Sequence, residues 1–217
     1  FFEHIELALS PLPTNTVLGV CHFPSFYEAM LATKEIVSLG PTAVELIDRT
    51  MINLARKIDI FQKVISEVIH DEPEAILLVE FTDSGENNTI NKLNQLDELM
   101  GGLGFQTEMV KVTLPRMQRA VWEMRKQGLN IVMSMKGDGK PISFVEDCAV
   151  ELDDLADYTS RLDAIFKKYG TQGTWYAHAS VGTLHVRPIL NLKCDQDVKK
   201  MRAIAEEAFA MVREYKG

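Results

Sequence analysis

Apolar and polar positions follow two periods along this chain, and the switches between them mark its elements. Residues 74–82 (EAILLVEFT) form a short apolar run rich in branched side chains, the signature of a buried strand. Residues 16–23 (TVLGVCHF) and 42–47 (TAVELI) read the same way. Pro24-Ser25 opens a helix reaching about residue 39, with Phe26, Met30, Leu31, Ile36 and Val37 at its apolar positions. Gly40-Pro41 stops it. Residues 48–65 read as one or two helical pieces. A polar helix runs from Ser84 and Glu86 to Met100, Gly101-Gly102 ends it, and 105–112 returns as a strand.

The second half is less regular. Residues 115–126 read as a helix, 141–147 as a strand and 152–169 as a helix. Residues 173–180 and 183–190 form two strands joined by a very short turn. Asp195 is placed to cap a last helix that buries Val198, Met201, Ile204, Ala208, Phe209 and Val212, with Gly217 as its C-terminal cap. The first half has the order βαββαβ of a ferredoxin-like sandwich. The expected fold is α+β, with two ferredoxin-like units sharing one antiparallel sheet and helices packed on one face. The first unit with its connecting helix covers 14–135 and the second 136–217. The loop 136–140 (KGDGK) is the best boundary.

Composition narrows the partners. Among 217 residues, 46% are hydrophobic and 25% charged, the mix of a folded globular chain. A net charge of −8 repels phosphate backbones, so nucleic acid is not expected as a partner. The three cysteines, Cys21, Cys148 and Cys194, are widely spaced and form no CxxC pair, which fits a reducing, cytoplasmic setting.

The richest stretch runs from Trp175 to Pro188 (WYAHASVGTLHVRP). If Val181-Gly182 makes a two-residue turn, 180 pairs with 183, 178 with 185 and 176 with 187. Alternation then puts Tyr176, His178, Ser180, Thr183, His185 and Arg187 on one face. Trp175, Ala177, Ala179, Leu184, Val186 and Pro188 fall on the other, a core face. Facing imidazoles on adjacent strands can share a divalent metal, since zinc–nitrogen bonds of about 2.0–2.1 Å fit such a pair. A third ligand must come from elsewhere. The alternative is two histidines on a solvated sheet face.

Glu146 is a candidate third ligand or a partner for a histidine, and Asp147 reads as a helix-entry acid. Arg125, in the W-x-x-R of Trp122 to Arg125, could hold a carboxylate in a planar, two-pronged way. His22 and His70 show no clustered partners. No GxGxxG, Walker loop or GxSxG elbow is present.

The stretch 140–188, with KPISFVEDCAV, a helix, a YG turn and HASVGTLHVRP, resembles the C-terminal substrate (cap) domain of FAD-linked oxidases of the vanillyl-alcohol oxidase type. The branch is that of D-lactate dehydrogenase, glycolate oxidase and D-2-hydroxyglutarate dehydrogenase, in the long form followed by an iron–sulfur region. Many relatives carry HxGDGNxH where this chain has His178-ASVGTL-His185, so the histidines match and the turn departs. The family often places a Lys where Val145 stands.

The resemblance implies that residues 1–13 are the tail of a preceding flavin-binding domain and that the chain stops just before a GEHGDG-type motif. That motif would bring the catalytic base and an acidic metal ligand, so no catalytic residue is expected within the chain. It further implies Arg125 for the substrate carboxylate and His178 and His185 for a divalent metal, zinc by preference. FAD would be bound mainly by the preceding domain, with an iron–sulfur cluster downstream. The implied reaction oxidises a D-2-hydroxy acid to a 2-oxo acid, in the cytoplasm or peripherally at the inner membrane, with a homo-oligomer possible in principle. A non-catalytic ferredoxin-like binding or dimerisation module, or a metal-assisted hydrolase, are the other readings of the same residues.

Overall fold

Strand β1 (Asn15–Phe23) buries Val17, Cys21 and Phe23 on one face and Leu18 and Val20 on the other. A strand apolar on both faces needs a layer above and a layer below. A computed structural model, which describes residues 3–9, 12–104 and 109–217, shows both layers.

In chain order the elements after β1 begin with α1 (Phe26–Ser38), β2 (Ala43–Asp48), α2 (Arg49–Ala55), α3 (Asp59–Val68) and β3 (Ala75–Asp83). Next come α4 (Glu86–Gly102), β4 (Val110–Val112), α5 (Pro115–Lys126), α6 (Gly128–Met133), β5 (Lys140–Pro141) and β6 (Cys148–Ala149). The last are α7 (Leu155–Lys168), β7 (Gly173–His178), β8 (Thr183–Leu190) and α8 (Asp195–Glu214). The strands form one antiparallel sheet in the order β4-β1-β3-β2-β7-β8-β5, with β6 also paired to β8.

The α+β class, the βαββαβ first half and the continuous antiparallel sheet match the expectation. The β4-β1-β3-β2 order is the ferredoxin-like one, with α2 and α3 added between β2 and β3. The helices, however, cover both faces rather than one. On one side α1, α4, α7 and α8 contribute Met30, Leu96, Phe166 and Ile204 to a core shared by the whole sheet. On the other, α2, α3, α5 and α6 contribute Met51, Ile65, Met124 and Ile131, and this layer packs on β1, β3 and β2 and reaches Tyr176 on β7. Past Tyr176 the second face carries polar side chains.

Several local readings are corrected. Cys194, without a side-chain bond, precedes α8, and Asp195 is its first residue. Lys216, at φ 58°, takes the left-handed position after α8, with Gly217 N–H donating to Val212 O at 3.1 Å. Val198 and Phe209 are 42% and 71% exposed, while Ile204, Ala208 and Val212 are buried. Leu31 is also exposed. Of the strand expected at 141–147 only Pro141 is paired, in β5; 142–147 bulge without forming a strand, and β6 follows at Cys148–Ala149. Residues 3–9, whose sequence reads as a strand that has lost its beginning, form no strand and are exposed. Residues 1, 2, 10 and 11, with Pro11 among them, and 105–108 lie outside the described residues, so the strand expected to start at 105 is described only as β4. His22 and His70, read as having no clustered partners, stack with ring centroids 5.9 Å apart, and His22 Nε2 accepts from the His70 N–H at 3.2 Å.

Candidate functional site

The β7–β8 hairpin pairs Tyr176 with His185 and His178 with Thr183. The register thus differs by two residues from the one a Val181-Gly182 turn requires. Residues 179–181 form a 3-10 turn closed by Gly182 N–H donating to Ala179 O at 3.1 Å. Gly182 sits at φ +65°, and an added Cβ there would overlap the Val150 carbonyl oxygen. Ala179 is buried in the core, and Ser180 belongs to the turn instead of the polar face. A shift of two leaves every strand side chain on its expected face. His178 and His185 are therefore diagonal neighbours on one face, with ring centroids 5.0 Å apart at an 82° interplanar angle.

Strand β2 brings a third group. Glu45 pairs with His178 across the β2–β7 ladder, so its side chain shares that face. It is 9% exposed. One carboxylate oxygen lies 2.7 Å from His178 Nδ1 and the other 2.6 Å from Arg125 Nη2. Arg125 arrives from above, on α5. That helix is pinned to the sheet by Gln118, whose side-chain amide donates to Thr16, Val112 and Thr113 carbonyls, and by Trp122, whose indole N–H donates to Glu80 at 2.8 Å. Residues 118, 122 and 125 fall on one stripe of a helix. The W-x-x-R spacing is thus the way α5 docks. The Arg125 guanidinium also stacks 5.0 Å from the Tyr176 ring centroid, and its Nε is buried without a hydrogen-bond partner among the described residues.

The second imidazole has its own acid. Asp147 Oδ1 lies 2.9 Å from His185 Nδ1. The stretch between β5 and β6 is two residues longer than the β8 stretch it faces, and it bulges there. Asp147 adopts φ 61° in that bulge. Glu146, the candidate third ligand, instead forms an ion pair with Arg187 Nε and accepts from Ser143. Val145 is buried in the core on the opposite face. Among the described residues, no group of three His, Cys, Asp or Glu stands close enough to hold a metal.

Burial pushes the His185 imidazole below its usual range, Asp147 pulls it back up, and His178 adds to the fall. Burial likewise raises the Tyr176 phenol. Each Nδ1 faces a carboxylate, Glu45 within hydrogen-bond distance for His178 and Asp147 in ion-pair contact for His185. Metal-binding histidines are held in this way. Two imidazoles thus share one face, each beside an acid. Glu45 was missed by sequence reading. The one signal for Glu45 was a lone acid inside the apolar run TAVELI.

The same fold recurs in solved structures of low sequence similarity. The 4-ethylphenol oxidase from Gulosibacter chungangensis superposes with a TM-score of 0.61 at 10% identity, over 92% of this chain and 44% of that one. p-Cresol methylhydroxylase gives 0.63 at 12%, over 93% and 44%. The chain belongs to the family of FAD linked oxidases, C-terminal domain, which matches residues 12–217. Among curated proteins it is 31% identical to the D-2-hydroxyglutarate dehydrogenase of Escherichia coli (strain K12) and 29% to that of Haemophilus influenzae, over its full length. It spans 22% of the length of each.

Proposed function

We propose that this chain is the substrate-binding domain of a flavin-dependent dehydrogenase that oxidises a D-2-hydroxy acid, of the D-2-hydroxyglutarate, D-lactate or glycolate class, to the 2-oxo acid. The observation that carries this is one cluster in which Glu45 joins Arg125 to His178, with His185 beside it, in a member of the FAD linked oxidase family.

In this reading Arg125 orients the substrate carboxylate with the guanidinium edge that Glu45 leaves available. His178 and His185 offer their Nε2 atoms to a divalent metal, zinc by preference. When bound, such a metal supplies acidification of the 2-hydroxyl, and FAD supplies a hydride acceptor for C2. Glu45 and Asp147 hold the two rings. The apolar layer of α2, α3, α5 and α6 keeps water from one side of the cluster. The proton acceptor and a further metal ligand come from sequence after 217, FAD from a preceding domain whose tail is 1–13, and an iron–sulfur cluster from a later region. The reading places the protein in a reducing compartment, consistent with three free cysteines.

Anaerobic addition of D-2-hydroxyglutarate, D-lactate and glycolate to the whole polypeptide that carries this chain tests the proposal. Flavin bleaching by a D-acid, and not by its L-enantiomer, is expected. A purified polypeptide without flavin, or flavin that no 2-hydroxy acid bleaches, would sink it.

A further inference from the structure

We infer that Glu45 is the positioning residue of this site, setting the tautomer of His178 and the orientation of Arg125 with one carboxylate. The role for His178 rests on the function proposed above; the geometry stands without it. Glu45 is almost fully buried in the middle of β2, and both of its oxygens are used, 2.7 Å from His178 Nδ1 and 2.6 Å from Arg125 Nη2. An ionised carboxylate only accepts hydrogen bonds. His178 must then donate from Nδ1, which leaves the lone pair on Nε2. The guanidinium only donates, so the same carboxylate also fixes which Arg125 nitrogen is withdrawn from any ligand. His185 has a separate neighbour, Asp147, whose Oδ1 lies 2.9 Å from its Nδ1.

Replacing the acid by its amide gives a sharp outcome. In Glu45→Gln only one side-chain oxygen remains as an acceptor. Arg125, charged and unable to accept, claims it. The amide NH2 then faces His178, whose Nδ1 must turn from donor into acceptor. The proton moves to Nε2, and the lone pair available to a metal is lost from that position.

Long-range 1H–15N NMR on the labelled 217-residue chain, above the pH range where imidazole protonates, reads the tautomer directly. The wild type is expected to show Nδ1–H at His178. Glu45→Gln should flip His178 to Nε2–H and leave His185 unchanged. Arg125→Met, which keeps Glu45, should retain Nδ1–H at His178. Zinc chloride titrated into the same samples should bind Glu45→Gln about 10- to 100-fold more weakly than wild type. Nε2–H at His178 in the wild type, an unchanged tautomer in Glu45→Gln, or a flip in Arg125→Met would each overturn the inference. A wild-type chain that binds no zinc but still shows the flip supports the role of Glu45 and counts against the metal reading alone.

Discussion

The backbone N–H of Trp175 donates to Asp48 Oδ2 at 2.9 Å. The β2–β7 ladder runs as far as Ile47 and Tyr176, and the next rung is closed by this side chain. The other Asp48 oxygen accepts from Met51 N–H at 2.7 Å and caps α2. One buried carboxylate therefore ties β7 to β2 and starts α2. Burial pushes its pKa up to about 7, against the pull of bonds from Met51, Trp175 and Thr50, and Glu74 adds to the rise.

That shift makes stability depend on pH. The folded-state pKa lies above the unfolded one, so the folded chain holds the proton longer. The contribution is fully present below about pH 4, declines between about pH 4 and 7, and is gone above that range. Its full size is on the order of 4 kcal/mol. Asp48→Asn should remove this component. Urea unfolding at pH 4.5 and pH 8 should show the wild type losing its advantage over the variant as pH rises. A constant difference between the two proteins would show that Asp48 does not titrate in that window.

Arg125→Ala should cost about 3 kcal/mol of stability, because it leaves Glu45 charged and buried with only His178 as partner. Chemical denaturation of the chain measures it. A loss below about 1 kcal/mol would mean the pair behaves as a solvated surface bridge.

Gly182→Ala should destabilise by more than about 2 kcal/mol, since it combines a positive φ with overlap on the Val150 carbonyl. Thermal unfolding tests this. Wild-type stability would mean that the hairpin can adopt another turn.

His185 should titrate below the usual imidazole midpoint in an NMR pH series, because burial disfavours its charge. Asp147→Asn should lower the midpoint further, since Asp147 is the neighbour that raises it most. A rise on removing Asp147 would contradict the contact seen at 2.9 Å.

In the whole polypeptide, His185→Ala should lower kcat with flavin content unchanged, while Arg125→Ala should chiefly raise KM. Steady-state kinetics on a D-2-hydroxy acid, with flavin and metal counted per protomer, checks both. Wild-type turnover in His185→Ala without metal would return the histidines to a plain sheet face.

Much of this site was legible in one dimension. Alternation alone placed His178, His185, Tyr176 and Arg187 on one face of a hairpin, because a strand has a period of two whatever its partner. The same rule put Trp175, Leu184 and Val186 in the core. Apolar runs bounded by Gly and Pro located most strands and helices, and their order matched the β4-β1-β3-β2 half of the sheet.

Pairing was a different matter. The register of β7 against β8 depended on where the turn closes, and that was decided by Ala179 entering the core and Gly182 fitting under Val150. Neither contact is local, so the chain alone could not choose between registers two apart that keep the same faces. Asp147, read as a helix-entry acid, reaches His185 only because of the bulge between β5 and β6, while Glu146 turns to Arg187. Glu45 lies 133 positions before His178 and 80 before Arg125. Sequence determined the types of chemistry on each face; only the tertiary fold, by packing α5 over β2 and β2 against β7, decided which acid meets which base. Hydrogen bonds act over about 3 Å in space and carry no trace of separation along the chain.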